Sequence, residues 1–316
     1  MADSSGRRAT RDGLVTVGLP TYNRRVALAR ATRSVMCQGY RPLRLVVSDN
    51  SSDDGTAQDL ELLAFAHDEV SVHTNASNIG PAANFERVRE EASGEFFMWL
   101  GDDDWLDDSY IDECVQELSS DPDTVLVAGA CRYHDEDHDW RESPLIDLPH
   151  EDGRERVLGY FRSVRANGVF YGIVRRSVLS TLPSVPNLMG GDWLHLSRLA
   201  FLGKIRTLDH VEVHRSVGGA TRSLAHVARH QGLGRISRNA PQIALAWAAL
   251  ADIGWRSRVY VPLGRGARLR LGVHAAGIIL RRFLPGAVGK FLRIQTDRVA
   301  SRIPTRAGAR QRAATS

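Results

Sequence analysis

The 316 residues are 43% hydrophobic and 25% charged, ordinary for a soluble globular protein with material for one large or two modest domains. Cys37, Cys114 and Cys131 lie far apart with no CxxC pair, which excludes a disulfide scaffold and a structural zinc of that kind and fits a reducing compartment. The net charge of +4 conceals an acidic body and a basic tail: residues 255–316 hold 14 Arg or Lys against Asp297, leaving 27 bases against 36 acids before them. Such an asymmetry points to a phosphate-bearing surface, nucleic acid or anionic lipid. Residues 1–13 are polar and basic, so no signal peptide is expected. No stretch approaches the roughly 20 apolar residues of a membrane span, and the longest, 271–280, contains His274.

In chain order, residues 14–19 read as a first strand closed by Pro20, and 24–36 as a helix. A second strand at 43–48 ends at Asp49 and precedes a helix at 55–67. A third strand spans 70–74, with a helix at about 81–92. A fourth at 95–100 is followed by a helix at 107–119 and a fifth strand at 125–130. This alternation predicts an α/β fold with a mostly parallel sheet covered by helices. Residues 132–172, rich in His, Asp and Glu, follow no readable pattern. Beyond about 224 only helical segments appear, at 226–233, 241–253 and 265–283.

Asp102, Asp103 and Asp104 directly follow the apolar run Phe96-Phe97-Met98-Trp99-Leu100. A buried strand has no use for three adjacent anions, which repel one another unless a hard cation holds them. A helix-capping acidic turn is the plainer alternative. Ligands in open α/β sheets bind outside the carboxyl ends of strands, and the other predicted strands also end in polar residues there. Neither a GxxxxGK[ST] loop nor a GxGxxG after the first strand is present, so a nucleotide would be held in some other way.

The ordered set Leu19-Pro-Thr-Tyr-Asn-Arg24, Val47-Ser-Asp-Asn-Ser-Ser-Asp-Asp-Gly-Thr56, Asn78-Ile-Gly80 with Asn84, residues 92–105, Gly190-Gly-Asp-Trp193 and Val213-His-Arg215 resembles the family 2 glycosyltransferases. The resemblance covers about residues 14–222. It implies a GT-A-type, Rossmann-like sheet flanked by helices, with a C-terminal helical extension, and inverting transfer from a nucleotide-sugar. The implied organisation is a disordered N-terminus at 1–13, the glycosyltransferase domain at 14–222, a helical region at 223–301 and a disordered basic tail at 302–316.

In the nucleotide-sugar site that the resemblance implies, Thr21 and Tyr22 border the base, with Pro20, Asn23, Asn78, Gly80, Asn84 and Arg215 completing it. Asp49 would accept the imide N–H of uracil or thymine, since a carboxylate only accepts; the alternative is a turn residue. Asp102 would hold the ribose hydroxyls, while Asp103, Asp104 and His214 would bind Mn²⁺ or Mg²⁺ at the diphosphate. Gly101 stands where many relatives carry the first Asp of Asp-x-Asp, so Asp102 pairs either with Asp103 or with Asp104. His214 is either a ligand or structural. Asp192 is the implied general base, or else a helix N-cap; Trp193 faces the acceptor sugar, or else the core.

Residues 265–283 place Leu269, Leu271, Val273, Ile278, Ile279, Leu280 and Phe283 among Arg265, Arg268, Arg270, Arg281 and Arg282, with Phe291 and Leu292 beyond. This pattern suits a helix at an anionic membrane surface, or a helix packed on the catalytic domain with a solvated basic face. Nucleic-acid binding is not expected, because the tail has few aromatics. The reading is a metal-dependent transferase moving a sugar from a UDP- or dTDP-sugar to a glycan or lipid-linked hydroxyl. It would be cytoplasmic, peripheral at the inner face of the cell membrane. A non-catalytic sugar-nucleotide or glycan binder is the second reading, disfavoured by the coexistence of the Asp triplet and Asp192. A nucleotidyltransferase would need a Gly-rich, Lys-containing loop that the chain lacks.

Overall fold

A computed structural model describes residues 13–135, 138–188, 190–217 and 239–283. The helix expected at 226–233, the tail at 302–316 and all but one residue of the N-terminal segment lie outside the described residues. The expected α/β alternation is present as β1 (Val15–Thr21), α1 (Arg25–Met36), β2 (Leu43–Asp49), α2 (Thr56–Ala66), β3 (Val70–Thr74), α3 (Pro81–Glu90) and β4 (Phe96–Trp99). These strands pair in parallel, β3-β2-β1-β4. β1 continues through Pro20, contrary to expectation. Past the Gly18–Trp99 pair it has lost its β4 neighbour, and proline is tolerated in such edge-like positions.

The second half of the sheet mixes directions. It consists of β5 (Trp105–Leu106), β6 (Thr124–His134), β7 (Asp139–Arg141), β8 (Ile173–Arg175) and β9 (Lys204–Ser216), in the order β4-β8-β6-β9-β5 with β7 beside β6. Sequence reasoning missed β5, β7, β8 and β9, which are either very short or partly exposed and lack an apolar run. β5 also moves the next helix from 107 to α4 (Tyr110–Ser120), because residues 105–106 pair with Val213 and His214 instead. α4 buries Tyr110, Ile111, Cys114, Val115 and Leu118, one helical face. The Tyr110 hydroxyl donates to Tyr171 O and accepts from Gly129 N, locking α4 to β6. Gly129 is required there, since a Cβ would lie 2.5 Å from the Tyr110 ring.

α5 (Gly153–Ser163), the short α6 (Arg176–Leu179) and α7 (Gly191–Leu202) follow, and α8 (Pro241–Ala251) and α9 (Arg265–Phe283) complete the helical layer, α9 packing on both α8 and α5. Leu271, Ala275 and Ile279 of α9 recur every four residues and are buried where the helix meets α8 and α5. The Leu271–Ala275–Ile279 part of the stripe is therefore an internal packing face, while Leu269 of the same stripe is exposed. A buried ion pair between Arg198 and Asp252, at 2.6 Å, ties α7 to the turn after α8.

His195 of α7 is buried edge-on to Trp99, and neither ring nitrogen has a hydrogen-bond partner. Burial holds its pKa down at about 3. The unfolded chain takes up this proton near pH 6.5 while the folded chain does not, so stability is full above 6.5 and falls as pH drops toward 3. Thermal unfolding should therefore show His195→Phe losing about 2 kcal/mol less than the parent between pH 7 and pH 5.

Candidate active site

Thr21, Asp49 and Thr74 end β1, β2 and β3 at one level, because Thr21 pairs in register with Asp49 and Asp49 with Thr74. Beside them Leu100 N donates to Gly18 O, and the chain turns through Gly101 into the carboxylates. The sheet thus gathers Pro20–Asn23, Asp49 and Asp102–Asp104 at one edge, as expected for a strand-end crevice.

The three carboxylates have different surroundings. Asp102 accepts from Thr21 Oγ1 at 2.9 Å and from Tyr22 N at 3.4 Å. Burial and the neighbouring charge of Asp103 push its pKa up to about 6. Asp103 pairs with Arg24 Nη1 at 2.6 Å and keeps partial exposure. Asp104 is 1% exposed and accepts from Arg215 Nε at 3.2 Å and Ser216 N at 3.3 Å. Burial raises its pKa to about 6 despite the arginine. Its carboxylate also fills the space beside Gly101, where a Cβ would meet Asp104 Oδ2 at 2.6 Å. A glycine at 101 and a buried Asp104 are thus one packing arrangement.

Among the described residues, no three His, Cys, Asp or Glu side chains converge on one point. Asp102 and Asp103 fit a divalent cation of the kind held by one or two carboxylates and the ligand's own phosphates. Their mutual repulsion, visible in the raised Asp102 pKa, is what a cation would relieve. Asp104 is committed to Arg215, and His214 is not free either. His214 Nε2 lies 2.8 Å from Asp107 Oδ1 and Nδ1 lies 2.9 Å from His134 Nε2, with the ring stacked on Trp105. Through these contacts His214 fastens β9 to β5 and β6.

Asn84, Asn78, Asn23 and Asp49 belong to a hydrogen-bonded frame at the ends of β1 and β2. Asn84 is buried, donates to Ser48 O and Thr21 O, and accepts from Ser48 Oγ and Asn75 Nδ2. Asn78 Oδ1 accepts from Asn50 Nδ2 and Gly80 N. Asn23, in a left-handed conformation at φ 51°, accepts from Asp53 N, and its own N–H donates to Ser52 Oγ. Asp49 is buried and accepts from the N–H and hydroxyl of Ser52, which closes the turn at 49–52. Tyr22 is exposed on the rim, and Gly80, at φ 84°, leaves open space where a side chain would project.

Asp192 lies in the first turn of α7, whose N-cap is Gly190 at φ 72°; the capping alternative for Asp192 does not hold. Asn167 Nδ2 donates to its Oδ2 at 2.6 Å, and Tyr160 OH donates to Asn167 Oδ1 at 2.8 Å. Burial raises the Asp192 pKa, with Asn167, the helix N–H groups and the Arg215 charge opposing the shift. Arg215 thus acts on both Asp104 and Asp192, linking the two acidic parts of the site. Trp193 is partly buried on the core, with Arg282 of α9 lying 5.8 Å from its ring.

Sequence reasoning missed three participants. Arg24 was quoted within a motif but given no role. Asn167 and Glu142 sit in the unpatterned stretch. Glu142 is a buried carboxylate accepting from Ala166 N, Asn167 N and Gly168 N at 2.8–3.0 Å, which fixes the loop carrying Asn167. In the sequence Glu142 is one of several acids in that stretch, indistinguishable from a solvated charge.

Asp103 and Asp104 should separate by stability. Asp104→Ala leaves Arg215 without its buried counter-charge and should cost about 3 kcal/mol in urea unfolding. Asp103→Ala removes a half-exposed pair and should cost less than about 1 kcal/mol.

Comparison with known proteins agrees with this architecture. The model of the family described as glycosyl transferase family 2 matches residues 16–182. A GalNAc(5)-diNAcBac-PP-undecaprenol β-1,3-glucosyltransferase of Campylobacter jejuni is 28% identical over 186 residues, 58% of this chain and 59% of the relative. The UDP-Glc:α-D-GlcNAc-diphosphoundecaprenol β-1,3-glucosyltransferase WfgD of Escherichia coli is 31% identical over 96 residues, 30% of this chain and 37% of that protein. The matched part of the chain spans from over a third to about three fifths of the length of these curated relatives. Among solved structures, S. aureus TarS 1–349 in complex with UDP-GlcNAc shares the fold at a TM-score of 0.55 and 16% identity, over 84% of this chain and 80% of that one. The mannosyltransferase PcManGT of Pyrobaculum calidifontis, in complex with GDP-Man and Mn²⁺, does so at 0.53 and 18% identity, over 90% and 80%. With its strand-end crevice and a family match across more than half its length, the chain belongs to glycosyl transferase family 2.

Proposed function

We propose that the protein moves a sugar from a UDP- or dTDP-sugar to a hydroxyl of a lipid-linked glycan acceptor, by a single displacement that inverts the anomeric centre. The observation carrying this reading is Asp192: a partly exposed carboxylate with a raised pKa, oriented by Asn167 at the start of α7 and within the field of Arg215, which also pairs with Asp104. The relatives' names supply the acceptor class, since both carry undecaprenol diphosphate. The UDP-linked donors named for WfgD and TarS support the nucleotide.

In this reading the acceptor hydroxyl gives its proton to Asp192 as its oxygen attacks the anomeric carbon from the face opposite the diphosphate. The bond to the diphosphate oxygen breaks, and the charge it releases develops near Arg24 and Arg215. Mn²⁺ or Mg²⁺ bound by Asp103, with Asp102 beside it, would supply further electrostatic stabilisation of that leaving group. Tyr22 offers a ring to the base. A uracil reaching Asp49 would displace the Ser52 hydroxyl from its carboxylate. Asn78, Asn84 and Asn23 serve by holding the surrounding loops.

Asp192→Asn should lower kcat by about a thousandfold while donor affinity stays unchanged. Unchanged turnover would remove Asp192 from the mechanism. The parent's kcat/KM should rise with pH through the raised Asp192 pKa, since only the carboxylate accepts the proton. A carboxyl whose folded pKa is raised loses stability as pH climbs through that value, so Asp192→Asn should melt at or above the parent Tm at pH 8 and match it near pH 3. In a thermal-shift panel with Mn²⁺, UDP- and dTDP-sugars should stabilise the protein. Stabilisation by GDP-sugars alone would overturn the role of Asp49.

A further inference from the structure

The C-terminal helices carry an exposed apolar face that the transfer reaction does not use. Trp247 of α8 is 58% exposed and Trp255, in the turn after it, is 49% exposed. Their rings meet edge-on with centroids 5.9 Å apart. Ile243, one turn before Trp247, is also exposed. Exposed Leu269 of α9 adjoins the same turn, with its Cδ1 3.9 Å from where a Gly254 side chain would begin. Two indoles and two aliphatic side chains in contact with water form a patch of the kind that marks an interaction site.

The rim of the patch is cationic. Arg256 follows Trp255, Arg258 lies two residues further on, and Arg265 is one turn before Leu269; all three are exposed. Asp252 is the one acid between residues 239 and 283, and it is buried against Arg198. No negative side chain of this unit therefore offsets the rim. Trp beside Arg around an aliphatic centre matches the headgroup region of a bilayer, where indoles settle at the interface and arginines meet lipid phosphates.

The position of α8 gives this face a direction. Leu245 is buried against Gly190, where a Cβ would lie 2.5 Å from its Cδ1, two residues before Asp192. Trp247, two residues on, points to the other side of the same helix. The patch and the candidate base are thus separated by about one helix diameter, roughly 10 Å.

We propose that Ile243, Trp247, Trp255 and Leu269, with Arg256, Arg258 and Arg265, dock the protein on an anionic phospholipid bilayer. Docking there holds the Asp192 end of the crevice near the headgroups. That consequence rests on the lipid-linked acceptor reading; the docking itself does not.

The test uses the full chain and vesicles of phosphatidylcholine with or without phosphatidylglycerol, with neither donor nor acceptor present. The parent should sediment with the anionic vesicles, and its tryptophan fluorescence should be quenched by bromo-acyl lipids. Trp247→Ser/Trp255→Ser should weaken partitioning at least about tenfold. Arg256→Gln/Arg258→Gln/Arg265→Gln should weaken it on the order of a hundredfold, since each arginine near an anionic surface contributes about 1 kcal/mol and about 1.4 kcal/mol is tenfold. The conservative Trp247→Phe/Trp255→Phe should keep binding but lose the bromolipid quenching, which guards against misfolding of the serine variant. Parent-like partitioning of the serine variant, or undiminished quenching in the phenylalanine variant, would overturn the proposal by leaving the basic tail as the membrane contact. A parent dimer that the serine variant converts to monomer, with vesicle binding unchanged, would overturn it in favour of self-association. None of these outcomes depends on Asp192, and loss of turnover in Asp192→Asn does not depend on vesicles.

Discussion

Three carboxylates placed after a buried strand must be neutralised from outside their own segment, and much of the architecture around the crevice follows from that need. Asp104 is taken out of water, so Arg215 and the N–H of Ser216 must reach it from β9. That requirement brings β9 alongside β6 and brings β5 onto β9, although sequence separates these elements by about a hundred residues. Asp103 draws Arg24 from the end of β1, and Asp102 takes the Thr21 hydroxyl from the same turn. The parallel and mixed halves of the sheet are thus joined at the crevice by charge as well as by strand pairing. A buried carboxylate paired and hydrogen-bonded in this way is costly to disturb, which suits a framework part better than a ligand-exchanging one.

A second buried carboxylate does comparable work on the opposite wall. Glu142 collects three backbone N–H groups of the segment 166–168, and Asn167 can then hold its left-handed conformation and present its amide to Asp192. Tyr160 of α5 fixes the other end of that amide. The orientation of one carboxylate on α7 therefore depends on a strand-end acid, a loop and a helix from three separate parts of the chain. The C-terminal helices add to this wall rather than standing apart from it. Leu245 backs Gly190, and Arg282 lies over Trp193 and donates to Val164 O at the end of α5.

Those parts were legible in the sequence to different degrees. The parallel half could be read because its strands are continuous apolar runs, each ending in a recognisable polar turn. The irregular half could not, because β5 has two residues, β7 and β8 have three each, and β9 is only half buried. Such strands exist only because partners are already in place. His214 shows the same limit on the site: its residue type suits a metal, but Asp107 and His134 take both ring nitrogens. The α9 stripe shows it for surfaces, since an amphipathic pattern states that one face is buried without saying whether protein or lipid buries it.

The sequence by itself determined the strand-turn pattern, the grouping of Pro20–Asn23, Asp49 and Asp102–Asp104 at one sheet edge, and the family resemblance. The first two follow from local periodicity and from the rule that parallel strands end on the same side; the resemblance rests on the ordered set of motifs. Only the tertiary structure decided which carboxylates remain available, because that depends on which cations and N–H groups arrive from distant segments. It commits Asp104 to Arg215, leaves Asp103 the more accessible, and brings Asn167 to Asp192. It also buried most of the α9 stripe, leaving Leu269 beside the exposed Trp247 and Trp255, since burial is a property of the packed whole.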